Sequence, residues 1–162
     1  MPVEMSLKEV VVIDVDFDVA AEYQALCEKA PKSGAIVFFV GLVRDLYDDE
    51  NGSDTIDYLE LSHYAGMTET LCQQIIDKAR QEFPFDAVRL IHRVGKLYAN
   101  EQIVMVAVAS RHRDNAFNAS RYIMDYLKTQ ATLWKKEVGS RGEQWIGLKQ
   151  KDIDAERLWK EK

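Results

Sequence analysis

The sequence predicts an α+β fold of mixed α/β character: one compact domain in which strands and helices interleave. Three observations predict it. The chain has 162 residues, an ordinary length for one domain, and 47% of them are apolar, enough to bury a core. Short β-branched runs alternate with segments whose apolar residues recur at helical spacing. No internal repeat, low-complexity run or linker divides the chain. The reading is a single domain over residues 1–150 followed by a helical tail over residues 151–162.

In chain order, residues 9–15 read as a strand because β-branched side chains dominate. Residues 18–29 read as a helix, with Asp18 as N-cap and an apolar stripe beginning at Ala21, Ala25 and Leu26. After Pro31, residues 34–43 are apolar on both faces, which predicts a central strand ending at Arg44. Residues 45–54, acidic and containing Asn51-Gly52, read as a loop, either ordinary surface or a lid. Residues 55–64 alternate as a strand. Residues 67–83 have helical spacing at Leu71, Ile75 and Ala79 and stop at Pro84.

A strand over 86–94 turns at Gly95, and a short strand over 96–98 follows. Residues 101–109 form the most apolar run and are predicted to be core. Residues 114–130 read as a helix capped by Asp114, with Ala116, Ser120, Met124 and Leu127 along one buried stripe. Residues 133–138 and 143–147 are short strands around the turn from Gly139 to Gly142. The tail from Asp152 is a short helix with a frayed, charged end.

Composition excludes several classes. The net charge of -6 argues against a chain-wide nucleic-acid or anionic-membrane surface. No signal peptide and no membrane-length apolar run is visible. Cys27 and Cys72, far apart in helical segments, read as small buried hydrophobes, and reduced thiols fit the cytoplasm. No metal-ligand spacing and no cofactor motif is present. Ser110 lacks the turn of a hydrolase nucleophile, and His63 and His92 read as hydrogen-bonded structural histidines.

Against this acidic background one segment stands out. Ser110-Arg111-His112-Arg113 follows the most apolar strand and opens a helix, whose first-turn N–H groups favour anions. Between residues 111 and 136, Arg111, Arg113, Arg121, Lys128, Lys135 and Lys136 face only Asp114 and Asp125, a local balance of +4. Arginine grips phosphate or carboxylate bidentately, and histidine moves protons near neutral pH. Lys128, beside Leu127, is expected at the half-buried edge of the helix stripe. In the strand reading, Leu133, Lys135 and Glu137 share one face, and Trp134 and Lys136 the other. Arg44 would join the cluster if the two apolar strands are neighbours. The composition therefore reads as an anion-binding pocket.

The residues also carry a resemblance. Val40-Gly41-Leu42-Val43-Arg44, His63 to Glu69, Ile91 to Gly95, Ser110 to Arg113, Ala116-Phe117, Ile123 to Thr129 and Trp134 to Glu137 occur in the order typical of one family. In these motifs the chain resembles the large, catalytic subunit of molybdopterin synthase, the MoaE family. The resemblance implies an α/β-hammerhead type of fold. It implies sulfur transfer from the C-terminal thiocarboxylate of a small ubiquitin-like subunit to cyclic pyranopterin monophosphate (precursor Z), forming the molybdopterin dithiolene. It also implies a homodimer within a heterotetramer. Carried over by position, Lys128 and Lys135 match essential lysines, and Arg44, His112 and Arg113 match substrate- and phosphate-binding positions. Lys136 and Glu137 match neighbouring pocket positions. Leu42, Ala65, Gln130 and Thr132 depart from the common motif and leave the pocket lining open. The alternative reading is a non-catalytic module that binds an anionic ligand or a partner's tail.

Overall fold

The computed structural model describes residues 8–44, 55–130, 133–147 and 150–161. The predicted loop over 45–54 and the departure at Thr132 lie outside these residues. The elements are β1 (Val10–Ile13), α1 (Val19–Lys29), β2 (Ala35–Leu42), β3 (Ile56–His63), α2 (Met67–Glu82), β4 (Ala87–Arg93), β5 (Gly95–Leu97), β6 (Gln102–Ser110), α3 (Arg113–Gln130), β7 (Leu133–Gly139), β8 (Gly142–Ile146) and α4 (Gln150–Lys160). The mixed α+β class expected from the pattern is the class observed.

The strands form two four-stranded sheets, ordered β1-β4-β6-β2 and β5-β3-β7-β8. In the first, β1 runs parallel to β4, and the other pairs are antiparallel. Strand β6 is buried on both faces, and its alternating side chains divide between two cores. Val104, Val106 and Val108 join Cys72, Ile75 and Ile76 of α2 and Ile123 and Leu127 of α3. Met105, Ala107 and Ala109 join Leu26 of α1. The first sheet is thus a middle layer, with α1 on one face and α2 and α3 on the other. On the α1 side, the buried Glu22 carboxylate accepts from Arg89 Nε at 3.1 Å, so neither charge is left alone in the core. Gly95 joins β4 to β5 at φ 92°, a conformation that a side chain would strain, and so turns the chain from one sheet into the other.

Four expectations need correction. Strand β2 is an edge strand, not a central one, and Phe39 and Leu42 are exposed along it. A continuous apolar run fits a central strand and an edge strand awaiting cover equally well, so the pattern could not separate them. Asp114 lies inside the first turn of α3, which begins one residue earlier, and so does not cap it. The stripe through Ala116, Ser120, Met124 and Leu127 is buried as expected. Cys72 is buried, but Cys27 is only partly so. The C-terminal helix is a docked element: Trp159 packs edge-on against Phe83 and Tyr122, with ring centroids 5.6 and 5.4 Å away. Among the described residues, no helix is long and apolar enough to cross a membrane.

Candidate functional site

The register of the first sheet decides which cations can meet. Strands β2 and β6 are neighbours, as the clustering of Arg44 required, but they are antiparallel: Ala35 faces Ser110 and Leu42 faces Gln102. Arg44, two residues past β2, therefore lies beside the start of β6. There Val43 N–H donates to Glu101 O at 2.9 Å, and Asn100 N–H donates to Val43 O at 2.7 Å. Arg111, His112 and Arg113 lie at the other end of β6, exposed at the opening of α3. Gly34 holds that end tightly: its N–H donates to Ser110 O at 3.0 Å, and a Cβ on it would fall 2.5 Å from the Arg111 carbonyl oxygen.

Helix α3 then carries the chain back. From Arg113 to Lys128 it advances about 22 Å at 1.5 Å per residue, so Lys128 returns toward the Arg44 end of the sheet. The expected single cluster from residue 111 to residue 136 is therefore split in two within one chain. One arm holds Arg44, Lys128 and Lys135. The other holds His112 and Arg113. The physical reason is the antiparallel direction of both β2 and α3 relative to β6, which residue spacing does not reveal.

At the first arm the lysines converge on a histidine. His92 belongs to β4, opposite Val104 at the start of β6, and is 6% exposed. Its pKa is lowered to about 4, chiefly by burial, with the cations of Lys135 and Lys128 and nearby His63 adding to the effect against the opposing hydrogen bond to Arg93. Its Nδ1 lies 2.8 Å from the Arg93 carbonyl oxygen, an acceptor, so Nδ1 carries the proton and neutral Nε2 keeps its lone pair. His63, at the end of β3, places Nε2 3.4 Å from Glu69 of α2. The sequence reading of His92 as hydrogen-bonded is met, and His63 has Glu69 as an ion-pair partner, but the proximity of His92 to the lysines was missed. The available signal was His92 itself: a titratable residue on the otherwise apolar face that it shares with Val88 and Leu90.

The second sheet supplies Lys135. In the β3–β7 ladder Leu61 pairs with Lys135 and Leu59 with Glu137, and Leu59 and Leu61 pack into the core. Lys135 and Glu137 therefore share the inward face and are half-buried. Lys136 takes the outward face, as period-two alternation predicts. Its ammonium lies 3.6 Å from Glu60, 3.3 Å from Glu143 and 5.5 Å from the centre of the Trp145 ring. Lys136 is thus placed across the sheet from the lysine pair and does not join it. Lys128 is exposed, not half-buried, because it follows Leu127 by a 100° step around the helix. Among the described residues, no group of three or more His, Cys, Asp or Glu could hold a metal.

Two lysines from separate elements, beside a buried neutral imidazole, can stabilise developing negative charge and move protons. Comparison with known proteins gives this arrangement a context. The family described as MoaE protein matches residues 12–130. The chain is 45% identical to the molybdopterin synthase catalytic subunit of Vibrio cholerae, over 89% of this chain and 93% of that one. It is 41% identical to the subunit of the same name from Escherichia coli, over 96% and 100%. Among solved structures, a molybdopterin biosynthesis MoaE protein from Burkholderia ambifaria superposes with a TM-score of 0.80 at 40% identity, covering 95% of this chain and 99% of that one.

Proposed function

The chain belongs to the MoaE family, and from that premise we propose that it is the catalytic subunit of a molybdopterin synthase, a sulfur-transferring enzyme of molybdenum cofactor biosynthesis. Its substrate is cyclic pyranopterin monophosphate, and its product carries the dithiolene. Its partner is a small ubiquitin-like subunit that delivers sulfur as a C-terminal thiocarboxylate. The relatives' name, catalytic subunit, itself implies a further subunit. The proposed compartment is the cytoplasm.

The observation that carries the reading is the convergence of Lys128 and Lys135 on His92 from α3 and β7. Both substrates are anionic, and opening the cyclic phosphate ester develops further negative charge. Fixed ammonium groups stabilise that charge without reorganising as the reaction proceeds. Lys128 serves as the acid/base group at the reacting carbons, and Lys135 orients the substrate beside it. Glu137 lines the same face. Lys136, tied to Glu60 and Glu143, supports the sheet from behind.

Arg44, His112 and Arg113 bind the phosphate-bearing substrate in this reading, yet the last two lie an α3 length away from Lys128. A homodimer removes the conflict. Strand β2 presents an open edge whose Phe39 is 40% and Leu42 is 54% exposed. A two-fold antiparallel pairing of two β2 edges lays the Ala35 end of one copy beside the Leu42 end of the other. It thereby brings His112 and Arg113 of one copy toward Arg44 and Lys128 of its mate.

The test is reconstitution of purified protein with thiocarboxylated small subunit and cyclic pyranopterin monophosphate. Wild type is expected to form the dithiolene product. Lys128→Ala is expected to lose at least about 100-fold in turnover, as removal of a general acid/base does, while keeping its circular dichroism spectrum. A folded wild-type protein that binds the small subunit and makes no product would overturn the reading in favour of a binding module.

A further inference from the structure

Helix α4 lies beyond the span matched by the family, which ends at residue 130, and none of its residues is fully buried. Its polar contacts with α3 nevertheless concentrate on the turn that carries Lys128. Trp159 Nε1–H donates to Asp125 Oδ2 at 2.7 Å, three residues before Lys128. The hydroxyl of Thr129, the residue after Lys128, donates to Glu156 Oε2. Glu156 is itself held by Lys160 Nζ at 2.6 Å, one helical turn later. Two side chains of α4 thus grip α3 on either side of the lysine.

The grip matters because of where it falls. The last four carbonyl groups of a helix have no partner within it, so its final turn frays unless something outside holds it. Lys128 sits in that turn, two residues before the helix ends at Gln130. The Trp159 ring, seated against Phe83 and Tyr122, anchors the grip to the core. We propose that α4 is a brace for the reacting lysine, and that Trp159 and Glu156 are positioning residues that act through Asp125 and Thr129 to fix the direction of the Lys128 side chain. The proposal rests on the role given to Lys128 above. Misplacing a reacting group by about 1 Å costs as much as 100-fold in rate, so loosening the brace should reduce the chemical step more than substrate binding.

The test uses the full chain with its thiocarboxylated small subunit. Trp159→Phe keeps the ring packing and removes the indole N–H; Thr129→Val keeps the side-chain shape and removes the hydroxyl. Each is expected to lower kcat by about tenfold while leaving KM within about twofold of wild type. Leu158→Ala, on the 62% exposed side of the same helix, is expected to leave both unchanged. Variants that melt at a lower temperature but turn over at the wild-type rate when folded would overturn the brace, because α4 would then contribute stability alone. Equal losses in Leu158→Ala would overturn it as well. Failure of the underlying reading is seen separately, as a wild-type protein without activity or an active Lys128→Ala variant.

Discussion

His92 is buried beside Lys128 and Lys135, and its pKa is depressed from the ordinary 6.5 to about 4 by burial first and by those cations second. The unfolded chain therefore takes up a proton at this residue near pH 6.5, whereas the folded chain resists it until about pH 4. Stability from the neutral imidazole is fully present above pH 6.5 and declines as pH falls toward 4. Between pH 7.5 and 5 this residue alone should remove about 2 kcal/mol. His92→Gln should flatten that part of the curve in urea titrations at the two pH values. An unchanged difference would mean that another group governs it. At this scale the motifs single out Lys128, Lys135 and Arg44 as candidates, and the structure sets Lys128 and Lys135 beside His92. It was less legible for His92 and Glu22. A buried carboxylate is rare enough that helical spacing alone gave no reason to turn Glu22 inward, and only Arg89 opposite explains it.

The elements themselves were readable, because hydrophobic period and turn chemistry are local. Among the described residues, the eight strands and four helices lie where periodicity put them, to within a few residues. What could not be read was their arrangement. The pattern of β2 described a strand with two apolar faces and said nothing of its neighbours; the structure puts it at an edge. That misreading is informative, since an uncharged apolar edge strand invites pairing with another chain. If β2 is the proposed dimer edge, Phe39→Glu should convert the protein to a monomer of 18.6 kDa in analytical ultracentrifugation. A dimer of undiminished affinity would place the interface elsewhere.

For the whole molecule, the decisive feature is that α3 separates the two halves of the candidate site. Local sequence gathered Arg111 to Lys136 into one run of positive charge, and only three-dimensional direction parted them: β6 delivers His112 and Arg113 to one end, and α3 carries Lys128 back to the other. In the proposed homodimer, a substrate held by both halves would lie between two copies of the chain. The most direct measurement is complementation in the reconstituted dithiolene assay. Lys128→Ala and Arg113→Ala homodimers are prepared separately, then unfolded and refolded together. In a random mixture half the dimers are heterodimers, each with one site carrying both substitutions and one carrying neither. Each variant alone should be inactive, and the mixture should recover about a quarter of wild-type turnover, the statistical share of intact sites in a two-fold symmetric assembly. A mixture as inactive as its components, despite demonstrated exchange of subunits, would contradict a site shared between Lys128 of one copy and Arg113 of the other.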